Sequence, residues 1–394
     1  MSNNKRNLKL IYIMRICKDF SSKFAFFFLP IFLFQIGTQL NFGNSTFNPI
    51  QKGMLFLSTF FILSRFTSLL SAMSIGNLVR KIQAKNALAF SHFLRLIILL
   101  LLIFGQNNYF LIILASVYEG LYVNFFWLSF NYLLTENISE KSFGKKIGIL
   151  NSLLQVVGIT SPLMSGLIAF YLGFQTLFWV GIFFVFLSFA TTILIKDAKI
   201  DDEIGWHELF SWLAEKRFKR LAVSFFGSYV YNESLYLWTL YIFLYLGNIK
   251  NVGYLYTFSI LIVLILVFFT ARYLNSGEKS KKPFYISGGL LSLMWIVRTQ
   301  FIGLLFLTMI DVCEKLAFNV YGLFFDNLLM KRGKGNQSFS YFVYRNIIIA
   351  ISGILFWLFF GLVFSFNAGW NSIFILTAIG MILSLLIKEN EILK

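Results

Sequence analysis

Charge is scarce in this chain: only 13% of its 394 residues are Asp, Glu, Lys or Arg, about half the share of an ordinary soluble domain. So few charges cannot cover the surface of a water-soluble protein of this length. Two cysteines, Cys17 and Cys313, both sit inside apolar stretches, which excludes a disulfide framework. Two histidines, His92 and His207, stand apart, so no metal site and no other cofactor is expected. Acids are few as well, 17 against 34 Lys and Arg, for a net charge of +17. In a soluble domain that excess would suggest nucleic acid. Here it is read as the bias of cytoplasmic loops toward positive charge, and no nucleic-acid partner is expected.

What is present in abundance is apolar sequence, 58% hydrophobic with mean hydropathy +0.75. A span needs about 20 mainly apolar residues. Twelve are expected, at about 10–37, 52–76, 86–105, 109–134, 146–171, 175–195, 218–246, 252–274, 284–300, 302–329, 339–365 and 370–388. The first holds Arg15, Lys18, Asp19 and Lys23 and lacks a small-residue cleavage site, so it reads as a span rather than a signal peptide. With these spans, 24 basic residues fall in loops on one side and 3 (Lys52, Lys250 and Arg298) on the other, the remaining seven lying within spans. That asymmetry predicts a multi-pass protein of the cell membrane with both termini cytoplasmic. The polar stretch 196–217 then forms a central linker, partly an amphipathic interfacial helix near Trp206 to Trp212. It divides six-helix units at 1–195 and 218–394.

The halves repeat one another. Gly173-Phe174 opens span 6 and Gly369-Trp370 opens span 12, an offset of 196; Glu119/Glu314 and Asn124/Asn319 in spans 4 and 10 match at an offset of 195, with Asn131 opposite Asp326. A shared intramembrane Glu followed five residues later by a shared Asn is not cheap in such a composition, and it favours a 6+6 parallel repeat.

At this level the chain resembles the major facilitator superfamily (MFS). The resemblance is carried by Phe28-Leu29-Pro30-Ile31-Phe32-Leu33, by Gly76-Asn77-Leu78-Val79-Arg80-Lys81, by Gly144-Lys145-Lys146 and by the paired Gly-aromatic entries. The second of these departs from the family signature, with Arg80 where Asp is usual and Gln83 where Gly is usual. Span 4 offers Glu119 where the family usually has Arg. Ser161-Pro162-Leu163-Met164-Ser165-Gly166 resembles a loosened form of a span 5 motif associated with antiporters, which slightly favours efflux. The resemblance implies an all-α membrane fold of twelve helices in two bundles, with helices 1, 4, 7 and 10 lining a central cavity.

Charges at mid-membrane cost about 2.5–3.5 kcal/mol each on insertion scales, so each is a functional candidate. Asp19, Glu119, Glu233, Asp311 and Glu314 fall on those four helices and are the proton-coupling candidates. Low dielectric favours the uncharged form of an acid, which suits proton uptake. Asn124, Asn319, Trp127, Asn131, Lys23, Arg65, Arg95, Lys315, Arg345 and Tyr236 are the substrate-cavity candidates. For Asp19 with Arg15 and for Asp311 with Lys315, at i, i+4, a static ion pair is the competing reading. The expected function is a monomeric, proton-coupled secondary transporter of a small organic solute, with lipids as its surroundings. A flippase for an amphipathic or lipid-linked molecule is the alternative in the same fold. A membrane-embedded transferase is disfavoured, because the acids are scattered and no loop gathers His or Asp to activate a nucleophile. A non-transporting receptor is the remaining reading.

Overall fold

The computed structural model describes residues 2–40, 47–139, 143–200, 202, 204–274, 282–300, 303–333 and 338–387. The expected basic loop residues Lys141, Lys279, Lys281, Lys334, Lys388 and Lys394, and the linker acids Asp201 and Glu203, lie outside these. The described elements are helical: α1 (Ser2–Phe26), α2 (Leu29–Gln39), α3 (Pro49–Ile82), α4 (Ala84–Phe104), α5 (Tyr109–Glu136), α6 (Phe143–Ile193) and α7 (Trp206–Ala214), then α8 (Lys216–Leu246), α9 (Ile249–Leu274), α10 (Lys282–Val297), α11 (Leu304–Arg332), α12 (Ser338–Ser365) and α13 (Trp370–Ser384). Twelve membrane crossings follow, because α1 and α2 together make the first, α6 supplies two, and α7 is the linker helix.

The first crossing was expected to be continuous and is not. Its helix stops at Phe26 and restarts at Leu29, with Pro30 in the first turn of α2. Proline fits a first turn because its missing N–H would have no partner there. α6 runs through both expected spans 5 and 6 without a loop, bending at Gly173, where φ is 80° and ψ is 171°. Gly369, the N-cap of α13, has nearly the same conformation, φ 78° and ψ 176°. Only glycine enters that region without strain, so the sequence repeat is also a backbone repeat.

The helices form two six-helix bundles that meet along α3 with α12 and along α6 with α9 and α11. At the end away from the basic loops, the Gln51 amide reaches the Phe364 and Ser365 carbonyls at 3.3 Å and Asn367 Oδ1 at 3.1 Å. Phe61 stacks on Trp357 with centroids 4.3 Å apart. There α6 and α9 pass so closely that a Cβ on Gly166 would stand 3.0 Å from Gly253 Cα. Lipid gives helices no hydrophobic reason to associate, so close backbone approach at small residues is what dispersion requires. α7 buries Leu209 and Trp212 and leaves Trp206 and Phe210 exposed. The Tyr344 hydroxyl ties it to α12, donating toward Glu208 Oε2 at 2.8 Å and the Gly205 carbonyl at 3.2 Å.

Candidate functional site

A cavity of about 410 Å³ lies between the bundles. One wall is built by Lys23 and Phe27 at the break within the first crossing, with Asn151, Gln155, Gly158 and Pro162 of α6. The other comes from Tyr231, Trp238 and Thr239 of α8, Tyr256 of α9, and Asp311, Glu314, Lys315, Phe318, Asn319 and Asp326 of α11. Two aromatic pairs line it: Tyr231 stacks on Phe318 at 5.5 Å, and Phe27 meets Tyr256 edge-on at 5.0 Å from the facing wall.

The five predicted acids share one property: each is paired with a cation. Asp19 lies 3.2 Å from Arg15 and 3.5 Å from Lys18, whose own charges rest over the Trp127 ring at 4.6 and 5.1 Å. Glu119 accepts from Arg95 at 2.6 Å, inside its own bundle, and the same guanidinium stacks 3.4 Å over Phe26. Glu233 accepts from Arg65 at 3.1 Å across the bundle interface and from Trp357 Nε1 at 3.2 Å. Asp311 is salt-bridged to Lys315 one turn on, and that ammonium also lies 4.5 Å from the Tyr256 ring.

Glu314 holds a bidentate contact with Arg298 and accepts from the Tyr231 hydroxyl at 3.2 Å. Arg298, expected from the sequence in a loop opposite the basic face, does lie in the turn after α10, but its side chain does not reach solvent. Its side chain is 1% exposed and sandwiched 3.8 Å from Trp238 and 4.0 Å from Trp295. Arg95–Glu119 and Arg298–Glu314 are therefore counterparts in the two bundles, each joining consecutive helices.

Of the predicted residues, Lys23, Asp311, Glu314, Lys315 and Asn319 line the cavity, whereas Asp19, Glu119 and Glu233 do not. Asn124 does not line it; it is fully buried where α5 meets α3 and α12, with Ser68 O at 2.7 Å and the Asn346 amide at 3.3 Å across the interface. Asn131 is fully buried, and neither amide atom has a hydrogen-bond partner among the described residues. Arg345 faces Phe225 at 5.7 Å and has no ion-pair partner among the described residues. Tyr236 is 44% exposed and does not line the cavity.

The polar cavity residues that sequence reasoning missed are Asn151 and Gln155 on α6, Thr239 on α8 and the acid Asp326 on α11. Asn151 donates to Asp326 Oδ2 at 3.2 Å, and Gln155 hydrogen-bonds Asn319. Together they bridge the bundles on the side nearer the basic loops. Their signal was present: amides at i and i+4 share one helix face, opposite Asn319 and Asp326 at i and i+7 on an antiparallel neighbour.

Two six-helix bundles enclosing a cavity lined by charged, amide and aromatic side chains define a membrane transporter architecture. A family model described as Major Facilitator Superfamily matches residues 11–352, and the chain belongs to that superfamily. No curated protein sequence matches it. Among solved structures it is similar to a variant of the E. coli fucose:proton symporter FucP, at 13% identity with 97% of each chain covered and a TM-score of 0.66. It is also similar to the human organic anion transporter TETRAN, at 9% identity, 97% and 98% coverage and a TM-score of 0.69. A third is an auto-inhibited POT family peptide transporter, at 9% identity, 96% and 95% coverage and a TM-score of 0.65. The protein is an integral membrane transporter of this superfamily.

Proposed function

We propose that the protein moves a small organic solute across the cell membrane by alternating access, coupled to protons, as a monomer with both termini in the cytoplasm. The observation that carries this reading is the cavity between the bundles, walled by both and lined by charged, amide and aromatic side chains. Its volume of about 410 Å³ is in the range of small-molecule sites, which favours a small solute over a lipid-linked one. Lys23, which has no ion-pair partner among the described residues, faces the aromatic wall. An anionic or neutral amphipathic solute fits that combination.

Most of the bonds that hold the bundles together near the cavity are neutral or amide bridges, with Arg65–Glu233 the ionic exception. Hydrogen bonds between neutral groups contribute about 0.5–1.5 kcal/mol net each and one to a charged group, such as Asn151–Asp326, about 1.5–3 kcal/mol, so breaking them is compatible with rocking. Proton and solute must each bind one conformation better than the other for coupling to result. FucP, named as a fucose:proton symporter, has the same fold.

The test is a thermal-shift screen of the purified full chain against metabolites, lipids and drugs at two pH values, since a ligand of the folded state raises stability by mass action. The hits then go to proteoliposomes with an internal pH-sensitive dye. Solute-dependent proton flux is the expected result. Binding without any flux overturns the transport reading.

A further inference from the structure

We propose that Asp326 is the acid through which protons act on this protein, and that taking up a proton loosens its bridge to Asn151 and so favours separation of α6 from α11 at the end nearer the basic loops. The proposal deepens the transport reading above and rests on it.

The argument is one of elimination followed by position. Asp19, Glu119, Glu233, Asp311 and Glu314 each contact a cation. Protonating any of them strands a buried positive charge, the costly outcome for a buried pair. Asp326 is the cavity acid with no cation in contact among the described residues; its hydrogen-bond donor is the neutral amide of Asn151. Neutralising it breaks no ion pair; the Arg345 and Arg15 guanidiniums lose only a through-space attraction.

The groups that face it are few. Asn151 comes from α6, the Arg345 guanidinium of α12 and Arg15 of α1 act through space without contact, and Tyr321 and Asn319 lie on its own helix. Asp326 is half-buried and lines the cavity, so water can deliver the proton. The step is a single O–H bond formed on the carboxylate. The anion accepts from Asn151 more strongly than the neutral acid does, because charge-assisted hydrogen bonds are the stronger class.

Position makes this consequential. Asn151–Asp326 and Gln155–Asn319 are successive rungs between the bundles. Gln155 lies one turn from Asn151, about 6 Å along the axis, so loosening the first rung loads the second. The symmetric partner of Asp326 in the sequence repeat is Asn131, which cannot ionise. Proton sensitivity is thereby confined to one bundle.

Two measurements on the full chain in lipid bilayers test this. In pH-difference infrared spectra the wild type is expected to show a protonated-carboxyl carbonyl band that is lost in Asp326→Asn and kept in Asp326→Glu and Asp311→Asn. In a Cys17→Ser/Cys313→Ser background, cysteines replacing Gln155 and Asn319 are expected to cross-link less on acidification, and Asp326→Asn is expected to remove that extra decline beyond the intrinsic pH dependence of the thiols. A band that survives in Asp326→Asn overturns the proton assignment. A band that disappears while cross-linking responds as before overturns the gating step. Neither readout needs a transported solute, so a failure of the transport reading remains separable.

Discussion

The Arg298–Glu314 pair carries a quantitative prediction. Both side chains are nearly water-free, 1% and 3% exposed, so no solvent replaces a lost partner. Glu314→Gln leaves the guanidinium between Trp238 and Trp295 with its charge uncompensated. Breaking one side of a buried pair costs about 3–5 kcal/mol. The two indoles recover part of that, since a desolvated cation–π contact contributes about 2 kcal/mol, and the Gln side chain still accepts from Tyr231. A destabilisation of about 2–4 kcal/mol is therefore expected. Arg298→Met/Glu314→Leu removes both charges and should be less destabilised than Glu314→Gln, because apolar replacements of whole buried pairs are often neutral. The assay is denaturant unfolding in mixed micelles followed by tryptophan fluorescence, with the four variants of a double-mutant cycle. Glu314→Gln unfolding at the wild-type midpoint with no coupling energy would refute the view that this acid is structural. The same change at Glu119, whose side chain is 15% exposed, should cost less.

Two further outcomes follow from the interfaces. Gly166→Leu places a side chain where a Cβ alone would already stand 3.0 Å from Gly253 Cα, so closure opposite the basic loops should fail. A cysteine at Thr239, in the cavity wall, should then be labelled faster by an impermeant thiol reagent from that side, and unchanged labelling would show that the contact does not close the path. Tyr344→Phe removes the bonds to Glu208 and the Gly205 carbonyl. At about 1.5–3 kcal/mol for a bond to a charged group, local release of the linker should speed proteolysis within 196–217. Cleavage at the wild-type rate would contradict the latch.

Much of the fold was legible because a bilayer imposes a coarse rule: apolar stretches of sufficient length must cross as helices. The places of the crossings, the repeat and the role of Gly173 all followed. The break at Phe27 did not, although Pro30 marked it, because hydropathy is blind to a helix that ends and restarts within one span. The site was read only in part, for a related reason. Helices 1, 7 and 10 do supply cavity residues, but Glu119 turns sideways to Arg95 and Asn124 turns to Ser68. Angular position on one helix does not say which neighbour a side chain meets. Arg298 was placed in a loop because it ends an apolar run, and its aromatic cage is visible only in three dimensions. Amides were weighed only on the helices that carry acids, as at Asn124, Asn131 and Asn319, which is why Asn151 and Gln155 on the acid-free α6 were overlooked.

The twin ion pairs also bear on how the chain is made. Arg95 and Glu119 enter the membrane on α4 and α5, and Arg298 and Glu314 at the end of α10 and on α11. In each case the opposite charges arrive on adjoining arms of a single helical hairpin. A hairpin that leaves the insertion machinery as a unit brings its own counter-ion, so neither half of the molecule has to wait for the other before it can settle in lipid.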